Sequence, residues 1–370
     1  MEIILKFYLD LIHKLGSLTI AGIKLDWLEY LILTIMPSIA VVAIAMLTAL
    51  IVIWWERREI AFFQVRLGPN RLGPFGLFQT TADAIKILLK EDIIPANVDK
   101  TIYTLAPMLI FIPGMIVWGV IPFSPGWYVA DLDVSLLFLY AFSGLTTVAI
   151  IMMGWASNNK YSLLGGIRGV AQSISYEVPM LLSTVGVVIL AGSLSLVEIV
   201  NSQNIWGFIT QPLGFIIYFI CAIAEVNRIP FDLPECESEL VSGHITEYSG
   251  FKFALPFLAE YVNTFTISLV ASILFFGGWR FPFDNMLNVI NIDFLGMGLG
   301  TFLSSQLGII WLFIKAYFFF SVIVWFRATF PRLRPDQLMA FSWKFLLPLA
   351  LINIFITGIF AACGFGMFIK

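Results

Sequence analysis

The sequence predicts an all-α polytopic membrane protein with eight transmembrane helices, and three observations predict it. The 370 residues are 59% hydrophobic and 12% charged, with a mean hydropathy of +0.93, whereas about a quarter of an ordinary soluble domain is charged. Apolar runs near the ~20 residues needed to cross a bilayer recur along the whole chain. Charge is gathered in the breaks between them. The net charge of −3 says little about partners, because in a membrane protein the placement of Lys and Arg outweighs their sum. Cys221, Cys236 and Cys363 have no CxxC spacing, and His13 and His244 are the only histidines, so no iron–sulfur, haem, structural zinc or other metal site is legible.

Taken in order, residues 1–370 read as a single membrane domain. Residues 1–18 resemble a signal peptide only superficially, since Glu2, Lys6, Asp10 and Lys14 interrupt the apolar run. Ile3, Ile4, Phe7, Tyr8, Leu11, Ile12 and Leu15 recur at helical spacing instead, which predicts an amphipathic helix in the interface. Spans are predicted at about 28–55, 101–121, 136–155, 177–192, 206–224, 254–276, 302–327 and 345–368. The first is roughly 28 residues, about 42 Å as a helix, so a long tilted helix is expected. Between the first two spans, Leu77, Phe78, Ala82, Ile85, Leu88 and Leu89 form an apolar stripe opposite Gln79, Asp83, Lys86 and Lys90, which predicts a second interfacial helix over 76–91. The 277–300 segment reads as an outer loop.

Basic residues set the orientation. If the loop after the first span is cytoplasmic, fifteen Lys and Arg fall on that side and five on the other, with Lys315 inside a span. The positive-inside rule then places both termini on the outer, periplasmic-type side. Fifteen of the 24 acids lie on the cytoplasmic side as well, chiefly in the loops 56–100 and 225–252.

The densest group is the stretch AEVNRIPFDLPECESELVSGHITEYSGFKF, which holds Glu225, Asp232, Glu235, Glu237, Glu239 and Glu247. Carboxylates beside hydrophobic spans are costly to desolvate and point to an ion path or polar cavity, with a solvated loop as the alternative. Pro230 and Pro234 keep this segment out of a long helix. In WWERREIAFFQVRLGPNRLGPFG, Arg57 and Arg58 beside Glu56 and Glu59 read either as a snorkelling collar or as the wall of a cavity. The glycines and prolines of LGPNRLGP favour a compact loop lining that cavity. Glu177 in YEVP, Glu260 in LAEYVN and Lys315 are placed in spans, and Glu225 ends one. Each has a structural explanation by itself, yet together they point to proton conduction or a cavity lining. GGIRG, Gly165 to Gly169, lacks both a preceding strand and a Walker lysine and is not read as a phosphate loop.

Four long segments now carry a resemblance: ERREIAFFQVRLGPNRLGPFGLFQTTADAIKILLKED, KYSLLGGIRGVAQSISYEVP, AEVNRIPFDLPECESELVSGHITEYSGFKFALPFLAEYVN and WFRATFPRLRPDQLMAFSWKFLLPL. In their order and extent they resemble the NADH dehydrogenase subunit 1 family, the H subunit of the proton-pumping NADH:quinone oxidoreductase known as respiratory complex I. The resemblance implies eight spans, a tilted first helix and a quinone chamber open to lipid. It assigns Glu56, Arg57, Arg66, Arg228 and Arg327 to that chamber. It assigns Glu177, Glu225, Asp232, Glu235, Glu237, Glu239, Glu247 and Glu260 to an acidic passage that couples quinone reduction to proton translocation. It also implies quinone as substrate, no covalently bound cofactor, and iron–sulfur clusters and FMN (the NADH-oxidising group) only in partner subunits. The implied partners are the iron–sulfur and quinone-site subunits of the peripheral arm, small membrane subunits, antiporter-like subunits and lipid, with no nucleic acid. The membrane implied is a bacterial inner (plasma) membrane, with mitochondrial inner and thylakoid membranes as alternatives. Cys236 and His244 depart from the family pattern, and His244 adds a group that titrates near physiological pH. Alternative readings are a ferredoxin-dependent relative, a membrane-bound hydrogenase subunit, a secondary transporter and a passive anchor.

Overall fold

Apolar helices dominate the fold. The computed structural model describes residues 19–20, 23–24, 26–234, 236–281, 293–294, 297–298 and 307–363, with side chains from residue 35 onward. The interfacial helix expected over 1–18 lies outside the described residues, as does most of the expected loop 277–300. The helices are α1 Asp26–Phe63, α2 Gln79–Leu89, α3 Lys100–Trp118, α4 Ser135–Ala156, α5 Lys160–Ala191, α6 Leu196–Ser202 and α7 Gly207–Thr210. They continue as α8 Pro212–Glu225, α9 Glu237–Leu240, α10 Gly250–Phe275, α11 Gly308–Thr329, α12 Pro335–Phe341 and α13 Leu347–Ala362. Two pairs of two-residue strands complete the described elements, Thr19–Ile20 with Ile23–Lys24 and Asp293–Phe294 with Met297–Gly298.

Seven helical stretches among the described residues are long and apolar enough to cross a membrane, which makes this an integral membrane protein. They include 35–63 of α1 and the continuous run 335–362 through α12 and α13. The span expected at 206–224 is not one helix. Pro212 has no N–H to offer and pushes the residue before it out of the α region, so Gln211 turns to φ −137°, ψ 61°. What remains is α8, 14 residues or about 21 Å long.

Helix α5 departs in the other direction. It starts at Lys160 because the Asn159 side chain accepts the Tyr161 N–H at 3.0 Å as its cap, so the helix is 32 residues long and GGIRG lies inside it. Those glycines serve packing. A Cβ on Gly165 would stand 2.6 Å from the Gly243 Cα, and one on Gly166 would stand 3.3 Å from the Ile150 carbonyl of α4. The acidic loop and α4 therefore lie directly on the α5 backbone.

Pro179 inside α5 cannot donate to the carbonyl one turn earlier, that of Ser175. Ser342 Oγ donates to that freed oxygen at 2.5 Å, from a π-helical turn, Ser342–Leu346, that joins α12 to α13. Trp343 Nε1 donates to Ser175 Oγ at 3.2 Å beside it. A proline in one helix is thus answered by a wider turn in its neighbour.

The core lies among α1, α3, α4, α5, α8, α10 and α11, with Trp118, Tyr176, Tyr218, Phe265, Phe275 and Phe320 fully buried. Outward faces such as Phe355, Ile359 and Phe360 of α13 stay exposed and apolar, as lipid or a neighbouring subunit requires.

Candidate functional site

At the end of α1 the chain continues helical through Glu56 and Arg57 instead of stopping at 55. Arg228, three residues past α8, lies between Glu56 and Glu260 of α10. Its Nη1 donates to Glu56 Oε1 at 3.0 Å and lies 3.3 Å from Oε2. Its Nε sits 2.8 Å from Glu260 Oε1 as a charge contact, without hydrogen-bond alignment. Tyr261 closes the remaining face, its ring centroid 4.4 Å from the guanidinium carbon. Arg327, in the last turn of α11, pairs with the same Glu56 oxygen. Glu56 and Arg228 are buried, while about a third of the Arg327 side chain is exposed.

The segment after α8 is held by Gln172 of α5, whose Nε2 lies within hydrogen-bond distance of Ala224 O (2.7 Å), Asn227 Oδ1 (3.0 Å) and Phe231 O (2.6 Å). Burial would lower the Arg228 pKa, but Glu260 and Glu56 outweigh it and hold the guanidinium firmly charged. Asp232 accepts from Arg332 Nη2 at 2.9 Å, and Arg332 Nη1 donates to Cys236 Sγ at 3.3 Å. Burial nonetheless wins at Asp232 and raises its carboxyl above the usual range, against the pull of Arg332, Arg327 and Arg228.

Beside α1 lies a separate apolar cavity of about 280 Å³. Met46, Leu50, Ile53 and Arg57 of α1, Thr80 and Asp83 of α2, and Ala254 and Leu258 of α10 are among its lining residues. Arg57 pairs with Asp83 at its wall, and Gln79 Nε2 donates to the other Asp83 oxygen at 3.2 Å. Burial would raise the Asp83 carboxyl, but the Arg57 hydrogen bond and charge outweigh it and hold the group below its ordinary value. The loop from α1 to α2 is drawn tight beside this cavity. Gly76 has φ +72°, and any Cβ there would lie 2.3 Å from the Pro69 carbonyl.

The expected site residues therefore fall into groups. Glu56, Arg228, Arg327 and Glu260 meet in one cluster, with Asp232 beside it. Arg57 faces the apolar cavity, and Arg66 is exposed, its Nε donating to Gln64 Oε1 at 2.7 Å. Glu177 and Glu225 interact with each other electrostatically in a different part of the bundle. Glu239 pairs with Arg168 at 2.5 Å, and Glu247 accepts from Asn159 Nδ2 at 2.6 Å. Glu235 and the side chain of Glu237 lie outside the described residues.

Lys315 donates its ammonium to the carbonyls of Phe276 (2.7 Å), Gly278 (2.9 Å) and Arg280 (2.7 Å) beyond the C-terminal end of α10. One expectation is corrected. His244 does not titrate near physiological pH, because burial pushes its pKa down to about 4. Its carbonyl accepts from Ser162 Oγ at 3.2 Å and its Nδ1 finds no partner. Glu59, one turn beyond Glu56 and not assigned a role by the resemblance, has a buried Oε2 with no hydrogen-bond partner among the described residues. Among the described residues no group of His, Cys, Asp and Glu could hold a metal ion.

These features define a polytopic membrane subunit with a buried charge cluster next to an apolar cavity. A family model described as NADH dehydrogenase matches residues 36–358. The relative in Dehalococcoides mccartyi strain CBDB1, named as the H subunit of NADH-quinone oxidoreductase, is 48% identical over 332 residues, covering 90% of this chain and 86% of the relative. Those of the same name in Brevibacillus brevis and Geobacillus thermodenitrificans are 47% and 49% identical, covering 90% and 84% of this chain and 95% and 89% of the relatives. The chain belongs to this family, the H subunits of NADH-quinone oxidoreductase.

Replacing Arg228 by alanine should leave partly buried Glu260 without its ion pair and Glu56 with Arg327 alone, and destabilise the fold by about 3–5 kcal/mol. Thermal unfolding of the purified complex reads this, and Arg228→Lys should retain more stability than Arg228→Ala. At His244 the folded pKa of about 4 lies below the ordinary 6.5. The unfolded chain therefore binds the proton first, so the contribution of His244 is full above pH 6.5 and is lost as pH falls towards 4. His244→Leu should remove that part of the acid sensitivity, measured as Tm against pH.

Proposed function

We propose that this chain is the subunit of NADH-quinone oxidoreductase that forms the quinone chamber and couples quinone reduction to proton translocation. The observation that carries the reading is the apolar cavity of about 280 Å³ between α1, α2 and α10, with one arginine–aspartate pair on its wall and the Glu56 cluster beside it on α1. An isoprenoid tail needs apolar walls, and a headgroup that gains electrons and protons needs a few convergent polar groups. Quinone is the substrate. Electrons arrive from iron–sulfur clusters and FMN in partner subunits of the peripheral arm, and protons leave towards antiporter-like membrane subunits.

In this mechanism the headgroup draws protons, or shifts charge, beside Arg57, Arg228 and Arg327. Each guanidinium that turns towards the quinone weakens its hold on a carboxylate, so Glu56 and Glu260 take up protons more readily. The disturbance passes through Asp232 and the acidic loop to Glu225 and Glu177. Nothing in that sequence requires a redox centre in this chain.

Counting α8 with the seven longer helices gives eight crossings, with both termini on the outer side of a bacterial inner membrane and α1 tilted. Alternative donors such as ferredoxin use the same membrane geometry, and the names of the relatives favour the NADH-linked enzyme.

Leu258→Trp, which fills the cavity, should lower quinone reduction by the assembled complex about tenfold or more while NADH oxidation by an artificial acceptor at the peripheral arm continues. Equal loss of both rates would count against the chamber. Cys363 is exposed, so an impermeant thiol reagent should label it only from the outer face of oriented vesicles. Labelling only from the cytoplasmic face would overturn the orientation.

A further inference from the structure

Deeper in the bundle, α3, α4, α8 and α10 surround a second cavity of about 60 Å³, whose walls include Glu225, Tyr140, Ser143, Thr146 and Asn263. A water needs about 10–15 Å³ of such space and two to four polar partners. The volume admits a small cluster of waters; most of the wall is apolar, with Leu139, Met180, Ile267 and Val270 in it, and the polar side chains supply the partners.

Two buried polar atoms on that wall make no hydrogen bond within the protein: Glu225 Oε2 and the Tyr140 hydroxyl. Tyr140 is 4% exposed. The hydroxyl protons of its neighbours are committed elsewhere. Ser143 Oγ donates to the Tyr140 carbonyl at 2.9 Å, Thr146 Oγ1 to the Ser143 carbonyl at 2.6 Å, and Thr184 Oγ1 to the Leu181 carbonyl at 2.8 Å. Thr184 lies alongside the phenol, but no hydrogen bond of good geometry forms between them. Phenylalanine would pack as well and leave nothing bare, so packing gives no account of the hydroxyl.

Its surroundings do give one. Glu225 and Glu177 both lie within electrostatic reach of Tyr140. One turn along α4 from Tyr140, Gly144 leaves room for Glu177: a Cβ there would stand 3.2 Å from Glu177 Oε1. Across the cavity Gly114 of α3 makes the same allowance for Asn263, whose Oδ1 would be 2.7 Å from a Cβ. Two glycines thus keep space beside polar side chains that larger residues would fill.

We propose that Tyr140 is a proton-relay residue between Glu225, which shares the cavity wall with it, and Glu177, which lies within electrostatic reach of the phenol outside that wall. The step balances without a net charge on the phenol: Glu225 gives its proton to a cavity water, the phenol oxygen accepts a proton from that water as its own proton passes towards Glu177, and the Glu177 carboxylate takes it up. Rotation of the hydroxyl about its C–O bond resets the phenol for the next proton. The inference deepens the proposed coupling path and rests on it.

The test compares Tyr140→Phe with Glu225→Gln in the assembled, membrane-reconstituted complex. Tyr140→Phe should lower coupled quinone reduction and proton pumping about fivefold and enlarge the solvent deuterium isotope effect. Assembly, Tm and NADH oxidation by an artificial acceptor should stay at the wild-type level. Wild-type turnover and isotope effect in Tyr140→Phe, with Glu225→Gln impaired, would overturn the relay and leave the carboxylate path standing. A Tyr140→Phe defect that merely follows a lower Tm or yield of complex would also overturn it. Wild-type behaviour in both variants would instead sink the path on which the relay rests.

Discussion

The structure depends on one constraint above others, that a buried guanidinium must be surrounded by negative charge. Arg228 meets it with Glu56 from α1, Glu260 from α10 and the face of Tyr261. A charge removed from water and left unpaired costs several kcal/mol, so these partners must approach together. The first helix, the turn after α8 and the middle of the bundle are thereby brought to one point. Arg327 adds α11 to the same carboxylate. Two cations and two anions make a group without net charge, which a low-dielectric interior tolerates.

Around that point the chain divides its polar chemistry between two cavities of different character. The larger, beside Arg57 and Asp83, is apolar with charge at one wall and suits a hydrophobic ligand with a polar head. The smaller, beside Glu225 and Tyr140, has hydroxyls, an amide and a carboxylate in its wall and admits water. On the proposed function, reduction chemistry and proton movement have separate places in one bundle, and the charge cluster near α1 and α10 lies beside the first.

Most helix positions are legible in the sequence, since an apolar run of span length has few other solutions in lipid. Where proline meets glutamine at 211–212 the run is apolar enough overall to read as one span, yet the backbone breaks, because hydropathy is blind to a missing N–H. GGIRG is silent in the sequence about its use: its glycines serve to let α5 touch Gly243 and α4. Charge types are also legible, but pairings are not. Glu56 and Arg228 stand 172 residues apart, and no spacing rule connects them. Lys315 shows the same limit, for its partners are backbone carbonyls that carry no sequence signature. Tyr140 is hidden for a simpler reason: among 57 aromatic residues, an unpaired hydroxyl is a property of geometry alone.

Pro179 and Ser342 carry a mechanical consequence. Helix α5 is a rod about 48 Å long whose N-terminal part touches the acidic loop through Gly165 and whose middle bears Glu177. A rod transmits displacement except where it can bend, and the Ser175–Pro179 turn, which lacks its own ladder bond, contains Glu177. Ser342 fastens that joint from the outside. How far a movement of the loop travels past Glu177 is therefore set by a neighbouring helix, through a single hydroxyl that stiffens the hinge.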